Sequence, residues 1–216
     1  RCEWCGRGLG RHCPKRTVLG IRGHPGAHAE WLTLPEANLR AVPESISDEE
    51  AVFTEPLAAA CEILDQVPVS PGVRTAVLGP GKLGRLAAAV LRNAGADATL
   101  VGRTTRARAG SFELVVEATG SPDGIGRALT LVRPRGTIVW KSTHHGFARF
   151  DAAPLVVNEV TVVGSRCGLF EPALDLLASR RVDVRPLLSS VFPLGSAPRA
   201  LREASRPGVL KVLLKP

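Results

Sequence analysis

The stretch TAVLGPGKLGRLAAAVLRNAGADATLVGR, residues 75–103, decides the fold. It predicts an apolar strand over Ala76–Leu78, a glycine turn, a helix rich in alanine and leucine, and a second strand over Ala98–Val101. The turn reads Gly-x-Gly-x-x-Gly, which is weak evidence alone because 22 glycines in 216 residues produce chance matches. The order strand, turn, helix, strand is the one that a dinucleotide site requires, and it favours such a site over an ordinary βαβ unit.

The glycine turn has the chemistry to hold a pyrophosphate. Gly79 permits the tight turn, Gly81 lets the backbone approach the phosphates, and Gly84 lets the helix pack closely on the strand. Lys82 and Leu83 begin the helix, whose first N–H groups lack partners within the helix and attract anions. We therefore expect this turn to bind the phosphates of the cofactor.

The end of the second strand indicates which cofactor. An NAD site usually has Asp or Glu here, about 20 residues past the glycines, to bind the ribose 2′-hydroxyl. This chain has Gly102 followed by Arg103-Thr104-Thr105-Arg106. Guanidinium and hydroxyl groups bind a 2′-phosphate, which a carboxylate would repel. The sequence therefore favours NADP, with NAD as the alternative if Arg103 is only a solvated residue of an arginine-rich chain.

Composition describes a globular chain, with 44% hydrophobic and 22% charged residues. No apolar run approaches the roughly 18 residues of a membrane span, and the first residues do not resemble a signal peptide. We therefore expect a cytoplasmic protein without a membrane partner. The net charge of +8 comes from arginines scattered along the chain without interleaved aromatic residues, which argues against nucleic acid as a partner.

Other segments extend the α/β pattern on both sides of the glycine turn. A capping box at Ser47–Glu50 predicts one helix from Asp48 to Leu64, with Pro56 as a point where it kinks or breaks. Further strands are predicted at Thr17–Ile21, Ala29–Leu34, Glu113–Ala118, Thr137–Lys141, Val160–Gly164 and Val209–Leu214, and further helices near Asp123–Val132, Phe170–Ser179 and Ala197–Ala204. The apolar, β-branched strands are typical of a doubly wound parallel sheet.

Three of the five cysteines, Cys2, Cys5 and Cys13, fall within the first 13 residues. This spacing indicates a metal site rather than a disulfide framework, with free surface cysteines as the alternative. The chain contains no methionine, even at position 1, so we expect it to be a fragment whose start lies upstream.

Taken in order, these motifs resemble the zinc-containing, alcohol-dehydrogenase-like family of medium-chain dehydrogenases/reductases. The Glu-Pro motif is most similar to the polyol- and glucose-dehydrogenase-related branches. The resemblance runs from Arg1 to Pro216 and is carried by the cysteines, Gly26-Ala27-His28-Ala29-Glu30-Trp31, Leu34-Pro35, Glu55-Pro56-Leu57-Ala58, the glycine motif, Val116-Glu117-Ala118-Thr119-Gly120 and Gly136-Thr137-Ile138-Val139.

The resemblance implies an α/β protein with a Rossmann-type doubly wound sheet and the remnant of a GroES-like β domain. Residues 1–50 would be that remnant, with a structural zinc lobe at 1–16. Residues 51–190 would be the dinucleotide-binding domain, and residues 191–216 would return to the first domain. Members pair through edge strands, so a homodimer or homotetramer is expected, with 160–164 to 187–191 as the region to inspect.

The resemblance also implies two zinc sites. The family's structural lobe has four cysteines spaced x2, x2, x7, and Cys2, Cys5 and Cys13 match the last three, so zinc binding should be weakened here. The Cys and His ligands of the catalytic zinc would lie upstream of this chain. Glu55 remains as the catalytic candidate, ligating that zinc directly or through water, unless it is simply a solvated helical glutamate.

The implied activity is an NADP-dependent, zinc-assisted transfer of hydride between an alcohol or polyol, or the corresponding carbonyl, and nicotinamide. This chain alone is expected to be inactive. The main alternative is a non-catalytic dinucleotide-binding module or degenerate homologue without the catalytic zinc. A zinc-ribbon nucleic-acid binder ranks a distant third, because it would need a second Cys or His pair and a clustered basic face.

Further cofactor contacts are expected at the carboxyl ends of later strands. Thr119 and Gly120 would contact the nicotinamide half, with Ser142 and Thr143 placed similarly, and Arg166 would meet a phosphate. His144 and His145 are expected in solvent, and Cys61 and Cys167 as small buried residues. Only about ten residues separate Arg103 from the next strand, where the family has a helix and another strand, so one βα unit is predicted to be missing.

Overall fold

The computed structural model of the protein describes residues 2–216. Its helices are α1 (Glu3–Gly6), α2 (Asp48–Ala51), α3 (Thr54–Gln66), α4 (Lys82–Asn93), α5 (Gly124–Leu131), α6 (Ala153–Val157), α7 (Phe170–Ala178) and α8 (Ala197–Ala204). Its strands are β1 (Arg74–Leu78), β2 (Asp97–Val101), β3 (Phe112–Glu117), β4 (Val132–Trp140), β5 (Thr161–Gly164), β6 (Leu188–Pro193) and β7 (Lys211–Lys215). None of the described helices is long and apolar enough to cross a membrane.

A parallel five-stranded sheet, in the order β2-β1-β3-β4-β5, forms the larger of two compact units, residues 40–189. Helices cover both faces of the sheet, and alternate side chains of β1 point toward opposite faces. Ala76 and Leu78 pack in one cluster with Ile125 of α5, whereas Val77 faces Gly84 of α4. The prediction of a doubly wound α/β sheet is confirmed.

The predicted single helix over Asp48–Leu64 is wrong in one respect, since α2 ends at Ala51 and α3 begins at Thr54. The break precedes Pro56, which lies in the first turn of α3 where a proline costs no hydrogen bond. The capping box is confirmed, with the Ser47 and Glu50 side chains each bonding the other's backbone N–H. The Ser47 backbone N–H is the main cause that lowers the pKa of Glu50, and Arg180 adds to this.

The connection between β2 and β3 contains neither a helix nor a strand. The predicted loss of one βα unit after Arg103 is therefore confirmed, and β2 is an edge strand. On the other side of the sheet β5 is the second edge strand.

The smaller unit comprises residues 2–39 and 190–216. The strands β6 and β7 pair with each other. The predicted strands at Thr17–Ile21 and Ala29–Leu34 are wrong, because residues 17–34 hold one isolated bridge, Val18 to Arg22, and no strand. A strand needs a hydrogen-bonded neighbour, which sequence alternation alone does not provide. The predicted helix Ala197–Ala204 is confirmed as α8, and the short elements α1, α6 and β6 were not predicted.

We predict that Gly84→Ala lowers the free energy of unfolding by about 1–3 kcal/mol or more, because the added methyl group overpacks a filled space. A Cβ atom at this position would overlap the carbonyl oxygen of Gly79. Denaturant unfolding followed by circular dichroism measures the change.

Gly81→Ala is the matched control. A Cβ atom there meets nothing within 4 Å and Gly81 has an ordinary φ of −72°. The only expected cost is that alanine is a poor N-cap, up to about 1 kcal/mol. Equal destabilisation by the two substitutions would contradict the close packing of α4 on the glycine turn.

Candidate functional site

A cleft of about 430 Å³ lies at the carboxyl ends of β1, β2 and β3. In the sheet, β1 lies between β2 and β3. The chain passes from β1 to β2 on one side and then returns to β3 on the other, which makes this edge the switch point where open α/β sheets bind ligands. The cleft is lined by Gly79, Pro80, Gly81, Val101, Gly102, Arg103, Ala118, Thr119 and Arg127.

The glycine turn forms one wall of this cleft. Gly79 has a φ of +94°, and a Cβ atom there would lie 2.6 Å from the carbonyl oxygen of Ala118, so only glycine fits. The Cβ direction of Gly81 is empty within 4 Å. The glycine turn, called the glycine cradle below, is packed tightly against the strands but open at Gly81. This leaves room for a pyrophosphate to approach the backbone closely.

The N-terminus of α4 completes the phosphate-binding geometry. Gly81 is the N-cap, and no side chain caps the helix there. Lys82 and Leu83 are its first two residues, so their N–H groups precede the first intrahelical bond. Both the N–H groups and the helix dipole favour an anion at this point.

A second wall of the cleft is a turn after β2 that Arg127 of α5 holds in place. The N–H of Gly102 donates to the Thr105 hydroxyl at 3.0 Å. Arg127 Nη2 donates to the Gly102 carbonyl at 2.6 Å and to the Thr105 carbonyl at 3.3 Å. Arg103 lines the cleft and is exposed. Sequence reasoning missed Arg127, whose one signal is a single charge within the apolar helix GIGRALTL.

The ends of β3 and β4 meet beside the cleft. Glu117 is fully buried, and its Oε1 accepts the N–H and hydroxyl of Thr119 at 2.8 and 2.5 Å. The N–H of Gly120 donates to the Ser142 hydroxyl at 2.7 Å. The structure therefore brings Thr119, Gly120 and Ser142 together.

The cysteines of the smaller unit have the spacing of metal ligands. The Cys2 Sγ lies 3.6 Å from that of Cys5 and 3.7 Å from that of Cys13. Thiolates on one tetrahedral zinc are about 3.8 Å apart, given Zn–S bonds of about 2.3 Å, so the three sulfurs fit three corners of such a site. The hydrogen bond from the Cys5 backbone N–H lowers the pKa of the Cys2 thiol, whereas the hydrogen bond between the two side chains raises the pKa of the Cys5 thiol.

Glu55 occupies a different environment. It is exposed in the first turn of α3. Among residues 2–216, the only group of three or more potential metal ligands within reach of one another is Cys2, Cys5 and Cys13. The described residues therefore do not assemble a metal site around Glu55.

A buried lysine follows β4 and was missed as a functional candidate. Lys141 is 7% exposed, and burial lowers its pKa to about 8, opposed chiefly by Glu62. Its Nζ donates to the Ser165 hydroxyl at 2.9 Å and the Arg166 carbonyl at 3.1 Å. The available sequence signal was a lysine at the end of the apolar run TIVW.

The remaining candidates occupy less distinctive environments. Arg166, Thr143 and His145 are exposed, and His144 is half-buried. Cys61 is buried, as expected, and burial raises the pKa of its thiol to about 11. Cys167 is only half-buried.

Comparison with known proteins agrees with the fold. No protein-family model matches the chain. Its relatives include a probable D-xylulose reductase A of Aspergillus clavatus, 26% identical over 250 residues, covering 99% of this chain and 70% of that protein. The alignment is longer than the chain, so the relative contains residues without a counterpart here.

Solved structures extend the likeness. The alcohol dehydrogenase TADH of Thermus sp. ATN1 has a TM-score of 0.85 and 28% identity, covering 99% of this chain and 74% of that one. A zinc-binding dehydrogenase of Sinorhizobium meliloti 1021 bound to NADP has a TM-score of 0.88 and 24% identity, covering 100% and 73%. The chain is therefore a homologue, over almost its whole length, of the zinc-containing, alcohol-dehydrogenase-like medium-chain dehydrogenases/reductases.

Proposed function

We propose that this chain carries the cofactor site of an NADP-dependent oxidoreductase that acts on an alcohol or polyol, or on the corresponding carbonyl. The observation that carries the proposal is the glycine cradle, tight at Gly79 and Gly84 and open at Gly81, beside an uncapped helix N-terminus. The substrate class is that of its relatives, which are named as a xylulose reductase and an alcohol dehydrogenase.

The charge of the cleft supports NADP over NAD. Arg103 and Arg127 line it, and none of its lining residues is acidic. Since a carboxylate is the group that selects the free ribose 2′-hydroxyl, its absence from the lining removes the usual preference for NAD. Arg103 would bind the 2′-phosphate of NADP, and Gly102 begins the turn that carries Arg103.

Each part of the site then has a role in binding the cofactor. When bound, NADP supplies the carbon that accepts or donates hydride. The turn from Gly79 to Gly84 holds the pyrophosphate through backbone N–H groups. Thr119 and Gly120, with Ser142, hold the nicotinamide half at the ends of β3 and β4. Fixing the cofactor in this way lowers the entropy cost of hydride transfer.

Two zinc roles also belong to the proposal. Cys2, Cys5 and Cys13 would bind a structural zinc through three thiolates, more weakly than a closed four-ligand site. Glu55 would lie beside the catalytic zinc of a complete enzyme. The described residues supply no other ligand there.

A non-catalytic dinucleotide-binding module is the second candidate. Two observations favour it: Glu55 has no accompanying ligands among residues 2–216, and the sheet ends at β2 on the side of the cleft. In either case we propose self-association of the chain into a homodimer or homotetramer through the edge strand β5.

We predict that the chain binds NADPH at least about tenfold more tightly than NADH, since a hydrogen-bonded charge contributes about 1.5–3 kcal/mol. Arg103→Ala should remove most of this difference and leave NADH affinity unchanged. Nicotinamide fluorescence titration measures both affinities. Arg106→Ala is the matched control, because Arg106 is exposed on the same turn but does not line the cleft.

Equal affinity for the two cofactors would remove the NADP assignment, and no binding of either would remove the proposed site. Gly81→Ala should weaken both cofactors alike, because the methyl group points into the open centre of the cradle.

We predict that the chain binds one zinc ion and that Cys13→Ser weakens it at least about tenfold, because a neutral hydroxyl replaces a thiolate ligand. Metal analysis and the thiolate charge-transfer band of the cobalt-substituted protein report the ligands. Cys61→Ala is the control, since Cys61 is buried in α3. An unchanged cobalt spectrum in Cys13→Ser would show that Cys13 is not a ligand, and absence of the thiolate band in the wild type would show that the three cysteines are free surface thiols.

A further inference from the structure

Lys141 places an ammonium group where a parallel sheet normally has an apolar side chain. It directly follows β4 and is 7% exposed. Its backbone N–H donates to the Glu117 carbonyl at 2.9 Å, so it continues the ladder between β3 and β4. A lysine in this position needs an explanation, because a buried ion pair is often no more stabilising than apolar residues of similar size.

The groups around Lys141 only partly offset its burial. Glu62, itself buried on α3, is the main opposing charge, followed by Cys167 and then Glu55. Burial still dominates, since the pKa falls to about 8. The two hydrogen bonds of the ammonium group are the other contacts of Lys141, and the segment that they hold indicates its role.

Those bonds hold the segment that leaves β5. The Lys141 Nζ donates to the Ser165 hydroxyl at 2.9 Å and to the Arg166 carbonyl at 3.1 Å. Earlier in the segment, Gln66 Nε2 donates to the Gly164 carbonyl at 3.2 Å. Later in it, Gly168 packs so closely on α3 that a Cβ atom would overlap the Ala58 carbonyl oxygen.

The main chain is thus fixed before, at and after Arg166, whereas the Arg166 side chain is exposed. A guanidinium on a fixed backbone loses less entropy when it binds a phosphate than one on a free loop. Arg166 follows β5, whose carboxyl end lies at the same edge of the parallel sheet as the cleft.

We propose that Lys141 is a positioning residue for the cofactor, which fixes the backbone at Arg166 so that the guanidinium meets a phosphate of the dinucleotide. This inference rests on the proposed NADP function. Lys141 itself does not touch the cofactor and acts only through Arg166.

A double-mutant cycle tests this. Arg166→Ala should weaken NADPH binding about tenfold, as loss of a charged hydrogen bond does, and Lys141→Met should weaken it about fivefold through misplacement of the same group. Combining them should weaken binding no more than Arg166→Ala alone. Lys215→Met, at the exposed end of β7, is the control and should bind as the wild type does.

Stability separates positioning from a structural role. Below pH 8 Lys141 is charged in both states, so the folded chain bears its desolvation cost. Lys141→Met removes that cost but leaves buried Glu62 without the ammonium. Between pH 8 and 10.5, where the folded lysine is neutral and the unfolded one is still charged, the wild type should gain stability relative to Lys141→Met. Affinities are therefore compared only at a pH at which circular dichroism shows both proteins to be folded. The titratable groups facing Lys141 are Glu62, Cys167 and Glu55.

Several outcomes would overturn the inference. Additive losses in the double mutant, or unchanged affinity in Lys141→Met, would mean that Lys141 does not act through Arg166. If Lys141→Met does not fold, Ser165→Ala takes its place, because it removes one acceptor of the ammonium, and additivity with Arg166→Ala would have the same meaning. Absence of NADPH binding by the wild type would overturn the proposed function and this inference together.

Discussion

The close approach of α4 to the glycine turn is the constraint on which the proposed cofactor cleft depends. Gly84 has no room for a side chain because its neighbour is the carbonyl oxygen of Gly79. Gly79 in turn lies against the backbone of Ala118 at the end of β3. Helix, turn and two central strands are therefore packed backbone against backbone, which leaves the helix N-terminus aimed at the sheet edge with little freedom to move.

The parts of the fold that were predictable from the sequence depend on local patterns. The strand, turn and helix from β1 to β2 follow from apolar periodicity and from glycines at fixed spacing. The Ser47–Glu50 capping box is equally local, since both partners lie within one turn. The strands expected at Thr17–Ile21 and Ala29–Leu34 failed because strand formation requires a partner that local alternation does not identify.

The residues missed in the candidate site act over long sequence separations. Arg127 binds the turn at Gly102, and Lys141 binds Ser165, each across more than twenty residues. Neither side chain belongs to a motif, and each looks like an ordinary solvated charge in the sequence. Only the sheet order brings β2 within reach of α5 and β4 within reach of the segment after β5. The glycines were found from spacing, whereas the residues that support the cleft needed the topology.

The edge position of β2 has a consequence for how a dinucleotide is held. No described strand lies beyond β2, so the side of the cleft proposed to hold the adenosine is lined by arginines and a backbone turn instead of a closed apolar slot. Most of the attraction is then between phosphates and cations or N–H groups near solvent. Dissolved salt screens such attraction strongly. Under the proposed function, cofactor affinity should therefore depend on ionic strength more than it does in a protein whose adenine site is enclosed.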